Sequence, residues 1–111
     1  MPWREAGPVS EEPCIALVRW RVMHAGHLGT RFVGFRAESG TGRVSSAIVE
    51  LDTAGYRGVT LSGRVYELAG PAGASDEVAP VWLTWVMHEH LVAWADVTEQ
   101  LFPDATNKRY Q

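Results

Sequence analysis

The stretch from Gly42 to Gly70, GRVSSAIVELDTAGYRGVTLSGRVYELAG, constrains the fold more than any other part of the chain. Ala47, Val49 and Leu51 alternate with Ser46, Ile48, Glu50 and Asp52, the period of a strand with one mostly apolar face. Val59 and Leu61 alternate in the same way with Thr60 and Ser62, and Val65, Tyr66 and Leu68 follow Gly63. Ser62-Gly63 between two β-prone runs reads as a two-residue hairpin turn, because glycine accepts the positive φ such turns demand. A longer connection, Thr53 to Gly58, joins the preceding strand, so this stretch alone predicts three antiparallel strands.

The residues before it extend the sheet. In Cys14 to His24, Cys14, Ala16, Val18, Trp20 and Val22 are expected on one face, with Arg19 and Arg21 projecting from the other. A loop over His24 to Gly29 carries two glycines for a reversal, and Thr30 to Ala37 forms a second strand. The turn ESGTG, Glu38 to Gly42, leads into the central stretch. After Leu68, the run AGPAGASDEVA ends in Ser75 or Asp76, either able to cap a helix. Val78, Trp82, Trp85, Val86 and Glu89 recur at helical spacing, predicting a helix over about 77–90 with Pro80 in its first turn. Leu91 to Ala95 reads as a short strand or an extended return, and Val97 to Phe102 as a helical turn. The expected architecture is α+β: an antiparallel meander of about five or six strands with one Trp-rich helix packed on one face. A flexible arm is expected over 1–13, one domain over 14–102, and a frayed tail over 103–111.

At 111 residues and 46% hydrophobic, the chain suffices for one core. No apolar run approaches the roughly 20 residues that span a bilayer. The opening MPWREAGPVSEEP has no apolar stretch behind a basic start, so it does not read as a signal peptide. One cysteine, Cys14, leaves no internal disulfide framework. A soluble cytoplasmic protein is the expectation. The net charge of −3 is unevenly placed: eight arginines against six acids lie in 1–66, whereas 67–107 hold seven acids and no Lys or Arg. Such an acidic lobe attracts a basic protein partner or a second copy of the chain head to tail, unless the two halves neutralise each other within the fold.

Candidate chemistry is sparse. His24 and His27 are three apart, and His88 and His90 flank Glu89; together they are the available metal ligands of a small metal-binding protein or hydrolase. Residues two apart on a helix point about 200° apart, so His88 and His90 share an ion only where the helix ends. Cys14, opening an apolar strand, reads as a small buried hydrophobe rather than a nucleophile. Arg19, Arg21, Arg31 and Arg36, with Trp20 and Phe32, would suit a single-stranded nucleic-acid platform, against which the negative overall charge argues. No cofactor is called for. Five tryptophans supply bulk for the core; Trp82 and Trp85 are not expected to point fully inward together, leaving one partly exposed beside acids, as in a protein-binding hot spot.

The segments Gly42–Asp52 and Val59–Pro71, with the helix from Val81-Trp82, resemble short bacterial proteins carried by phages and genomic islands. That resemblance covers roughly residues 42–96 and implies a small accessory or inhibitor-like protein working by surface contact. The expected function is a non-enzymatic protein–protein interaction module, with Asp76, Glu77, Trp82, Trp85 and Glu89 as the partner-binding residues.

Overall fold

The computed structural model describes residues 12–105, and its longest strand, β1 (Cys14–His24), is the member to which the others are referred. A turn of 3₁₀ helix, Gly26–Leu28, leads to β2 (Thr30–Arg36), followed by β3 (Gly42–Val44), β4 (Ile48–Asp52), β5 (Arg57–Thr60) and β6 (Val65–Leu68). Helix α1 (Ser75–His88), a two-residue β7 (Ala95–Asp96) and the short α2 (Thr98–Leu101) complete the chain. The hydrogen-bonded order is β3-β2-β1-β6-β5-β4, with β7 beside the far end of β1.

β1, β2 and β3 pair antiparallel in succession, as do β4, β5 and β6, but β1 and β6 pair parallel, so the sheet is mixed and not the antiparallel meander expected. The reason lies in β3 and β4. Following the pairings, both point along β1, and only three residues separate them. Ser45 N–H still bonds Phe32 O of β2 (2.9 Å), while Ala47 O already accepts Leu61 N–H (2.8 Å) beyond β5. They are halves of one bent strand that changes partner at Ser46. The four Cα steps from Val44 to Ile48 reach about 14 Å at most, whereas the edges of a flat six-stranded sheet lie about 24 Å apart. The sheet therefore curls upon itself, and a meander of five effective strands, an odd number, must close with its first and last members parallel.

Curling creates two cores. Inside lie Ile15, Leu17, Trp20, Val22, Phe32, Tyr66 and Leu68, joined by Phe102 and Ala105. Phe32 packs on Tyr66 at 5.6 Å between ring centroids, and Arg43 Nε of β3 donates across the interior to Tyr66 OH (3.0 Å). Outside, Met23, Ala25 and Val33 meet Val78, Val81, Trp82, Trp85 and Val86 of α1. The helix thus covers the outer face of β1–β3, with its apolar residues at i, i+3, i+4, i+7 and i+8 turned to the sheet.

Two bulges overturn the alternation expected of the sequence. Between Val18 and Arg21, β1 carries one residue more than β2, and Arg19 takes φ 49°. Inward residues are odd before this point (Ile15, Leu17) and even after it (Trp20, Val22), because an inserted residue reverses the period-two alternation. Cys14 is consequently exposed, not the buried hydrophobe expected. In β4 a bulge between Ile48 and Glu50 expels Val49, so Ile48 and Leu51 serve the core instead of the Ala47-Val49-Leu51 face. The β5–β6 turn is also longer than two residues: Leu61–Arg64 form the loop, closed by Thr60 N–H to Arg64 O (3.0 Å), with Gly63 at φ 90°.

Helix α1 starts two residues earlier than expected. Its N-cap is Ala74, which has no capping side chain; Glu77 Oε1 instead accepts Ala74 N–H at 2.8 Å. Pro80 sits beyond the first turn, on the exposed side. Residues 1–11 and 106–111 of the expected arm and tail lie outside the described residues. Of the remainder, Glu12 O accepts Arg64 Nε–H (2.8 Å), Pro13 O accepts Val65 N–H (2.9 Å), and Ala105 is buried in the inner core, which ties all three to the domain.

Candidate interaction surface

The helix α1 is apolar on more than its buried side. Besides the face that meets the sheet, Pro80, Leu83 and Met87 follow Asp76 at spacings of four, three and four, forming a second stripe that faces outward. Leu83 is 44% exposed and Met87 74%. The return from α1 to β7 adds Val92 at 99% and Trp94 at 43%. These four are two-thirds of the six large hydrophobic residues exposed among the described residues; Val49 and Leu61 are the others.

Trp82 and Trp85 are not part of this surface. They are 1% and 5% exposed, which corrects the expectation that one stays partly open. Both fit because their rings stack at 5.0 Å with a 26° interplanar angle, and Trp94 stands edge-on to Trp82 at 5.8 Å. The accessible aromatic is Trp94. Arg31 covers Trp85 from the other side, its guanidinium 4.8 Å from the ring centroid while donating to Leu28 O and Ser45 O, both at 3.0 Å. Burial pushes the Arg31 pKa below its ordinary value, with Glu89 opposing. Asp76, Glu77 and Glu89 are exposed, as expected, the first two at the N-terminal end of α1 and the third just past its C-terminal end.

A groove of about 380 Å³ separates α1 from the β7 segment, bordered by Ala79, Trp82, Leu83, Trp94, Asp96 and Glu99. Beneath it a buried clasp fastens the C-terminal segment. Arg21 Nε donates to Asp96 Oδ2 (2.9 Å), Nη1 to Gly73 O (2.8 Å), and Nη2 to both Glu99 carboxylate oxygens (2.9 and 3.0 Å). The buried Thr98 hydroxyl donates to Asp96 Oδ1 (2.6 Å) and accepts Val22 N–H (2.9 Å). Burial alone would raise the Asp96 pKa, but hydrogen bonds from Thr98 and Arg21 outweigh it and hold the carboxyl below its ordinary value. Part of the charge asymmetry along the chain is thus neutralised internally, because Arg21 takes two acids of the acidic segment; Arg36 pairs with Glu12 and Glu38 within its own, arginine-bearing segment.

The nucleic-acid platform is not assembled. Trp20 and Phe32 are completely buried and Arg21 is committed to the clasp, so no base can stack on these rings. Arg19 lies over Phe35 at 4.2 Å. His24 bonds Thr30 Oγ1 through Nδ1 (3.0 Å), and His88 Nδ1 lies 3.3 Å from Glu89 Oε2. Among the described residues no three His, Cys, Asp or Glu side chains gather around a point where a metal ion could sit. The Cys14 thiol is pushed above its ordinary pKa, first by partial burial and then by Glu67, against the pull of Arg57; an activated nucleophile needs the reverse. Among the described residues no helix is long and apolar enough to cross a membrane.

Sequence reasoning missed Leu83, Met87, Val92 and Trp94. The signal was present in α1, where Leu83 and Met87 are four apart and out of phase with the buried set. No family model, curated protein or solved structure matches this chain.

Proposed function

We propose that this protein is a non-enzymatic protein-binding module that acts by surface contact, as an inhibitor or accessory protein of a phage or genomic island would. Its docking surface is the outer stripe of α1 with the return that follows. The observation that carries this reading is the exposed stripe of Leu83 and Met87, four apart on one face of α1, with the accessible Trp94 beside Leu83 at the groove. Contiguous exposed apolar patches mark interaction sites, and an accessible tryptophan is a frequent binding anchor.

The partner is basic. Asp76, Glu77, Glu89 and Glu99 are exposed on the helical elements of the same segment, and positions 67–107 contain no Lys or Arg. Opposite charge around an apolar centre steers association and excludes like-charged competitors.

Affinity capture from bacterial lysate tests the surface with three variants. Leu83→Gln combined with Met87→Gln removes the stripe while keeping good helix formers; charge reversal at Asp76, Glu77 and Glu89 removes the acidic rim; Leu61→Gln alters an exposed leucine elsewhere. The expected result is one stoichiometric partner held by the wild type and by Leu61→Gln, and lost from the other two. Retention by the stripe variant, or by the charge-reversed one, refutes the reading. A concentration-dependent dimer in sedimentation, abolished by the stripe substitutions, would instead give the surface to a second copy.

A further inference from the structure

We infer that the groove between α1 and β7 receives a cationic side chain, an arginine or lysine of the partner; this rests on the protein-binding reading above and states what chemistry the partner must bring. Ala79, Leu83, Trp82 and Trp94 give the groove its apolar lining, Trp94 standing edge-on to Trp82, and Asp96, Glu99 and Arg21 of the clasp give it its charged lining. Two carboxylates face the single charge of Arg21, so the clasp retains one net negative charge. Glu99 is the accessible member, its side chain 57% exposed, with acceptor capacity beyond the two bonds from Arg21.

Each alternative occupant fits less well. An anion meets the surplus carboxylate. A neutral apolar side chain fills the walls but draws Glu99 out of water without a counterion. A long cationic side chain lays its methylenes along Leu83 and Ala79 and brings its head to Trp94 and Glu99, combining stem burial, cation–π attraction and a charge-assisted hydrogen bond. The positive end of the α1 dipole, near Ser75, is opposed by Asp76 and Glu77 in the first turn. This chain uses the same pairing of guanidinium and ring internally, at Arg19 over Phe35 and Arg31 over Trp85.

The test needs no identified partner. N-acetyl-arginine amide and its neutral isostere N-acetyl-citrulline amide are titrated into the full chain, and the indole N–H signal of Trp94 and the backbone N–H of Leu83 are followed by NMR. The expected outcome is a saturable shift with the arginine probe at about millimolar half-saturation and binding about tenfold weaker or less for citrulline. Glu99→Gln, which keeps acceptor oxygen for Arg21, should weaken the arginine response, and the half-exposed Trp94→Ala should remove it at Leu83. Equal binding of the two probes, or an unaltered response in both variants, overturns the inference. Loss of the partner in the stripe variant together with equal probe binding would reject the cation slot alone; partner binding indifferent to the stripe substitutions would reject the docking surface.

Discussion

Replacing Arg21 by methionine should destabilise the fold severely, although a substitution on the outer face of a strand is ordinarily mild. The guanidinium is 7% exposed at side-chain level and joins three separate pieces of chain: the loop at Gly73, β7 through Asp96, and α2 through Glu99. Methionine retains most of the stem packing but none of the donors. Removing one partner of a fully buried ion pair costs about 3–5 kcal/mol. Here Asp96 is 22% exposed and keeps two bonds from Thr98, which reduces that figure. Glu99 is exposed enough to add only about 0–1 kcal/mol, while the Gly73 carbonyl left without its donor adds about 1 kcal/mol or more. The expected loss is about 2–4 kcal/mol, and at roughly 4 °C or more per kcal/mol for a domain of this size the Tm falls by on the order of 10 °C. Thermal and urea denaturation at pH 7 measure it, and amide exchange at Val97, whose N–H bonds Val22 O at 2.9 Å, reports whether the C-terminal segment loosens first. Arg57→Met on the exposed side of β5 is the control and should stay within about 0.5 kcal/mol. The reasoning is refuted if Arg21→Met is as stable as the control, or if a double-mutant cycle with Asp96→Asn shows no coupling.

Three further outcomes follow from the same contacts. Because the folded Asp96 carboxyl sits below its ordinary 3.8, the unfolded chain takes up the proton first; the stability from the ionised form is full above that ordinary value and disappears as pH falls through the lower folded one. Acid denaturation should therefore be shallower in Asp96→Asn than in wild type, and identical acid slopes would show that Asp96 is not held low. Gly58→Ala places a Cβ 2.6 Å from Phe32 Cζ and 3.1 Å from Glu50 O, inside a packed interior, so urea denaturation should register a loss of about 1–3 kcal/mol. The double substitution Leu83→Gln and Met87→Gln should shift stability by only about 0.5 kcal/mol at each site, since both residues face outward; a larger loss by circular dichroism melting would mean that the stripe supports the fold.

Much of the chain can be read locally. The strand from Cys14 to His24, the second from Thr30, the β4-β5-β6 meander and the helix bearing Trp82 and Trp85 all stand where the periodicity predicts them, because period and turn chemistry are properties of neighbouring residues. The acids Asp76, Glu77 and Glu89 are exposed for the same reason: a carboxylate without a buried partner stays in water.

What the chain alone could not reveal is each feature set by distant residues meeting. The bulge at Arg19 has no local marker, since a non-glycine residue at φ 49° is held there by what surrounds it: Gly73 N–H bonds Trp20 O at 3.1 Å, and Arg21 reaches Gly73 O from the following turn of the strand. That one residue decides that Ile15 and Leu17, rather than Cys14 and Ala16, share the inward face with Trp20 and Val22. The parallel β1–β6 pair follows from closure of the curled sheet, a requirement visible only when both ends of a fifty-residue span are counted together. The burial of both Trp82 and Trp85 depends on Trp94 and Arg31, brought from outside the helix to cover them. Composition and periodicity determined the elements and the acidic character of the C-terminal half; the tertiary structure decided which face of each element is wet, and so turned the candidate surface from the two buried tryptophans to Leu83, Met87, Val92 and Trp94.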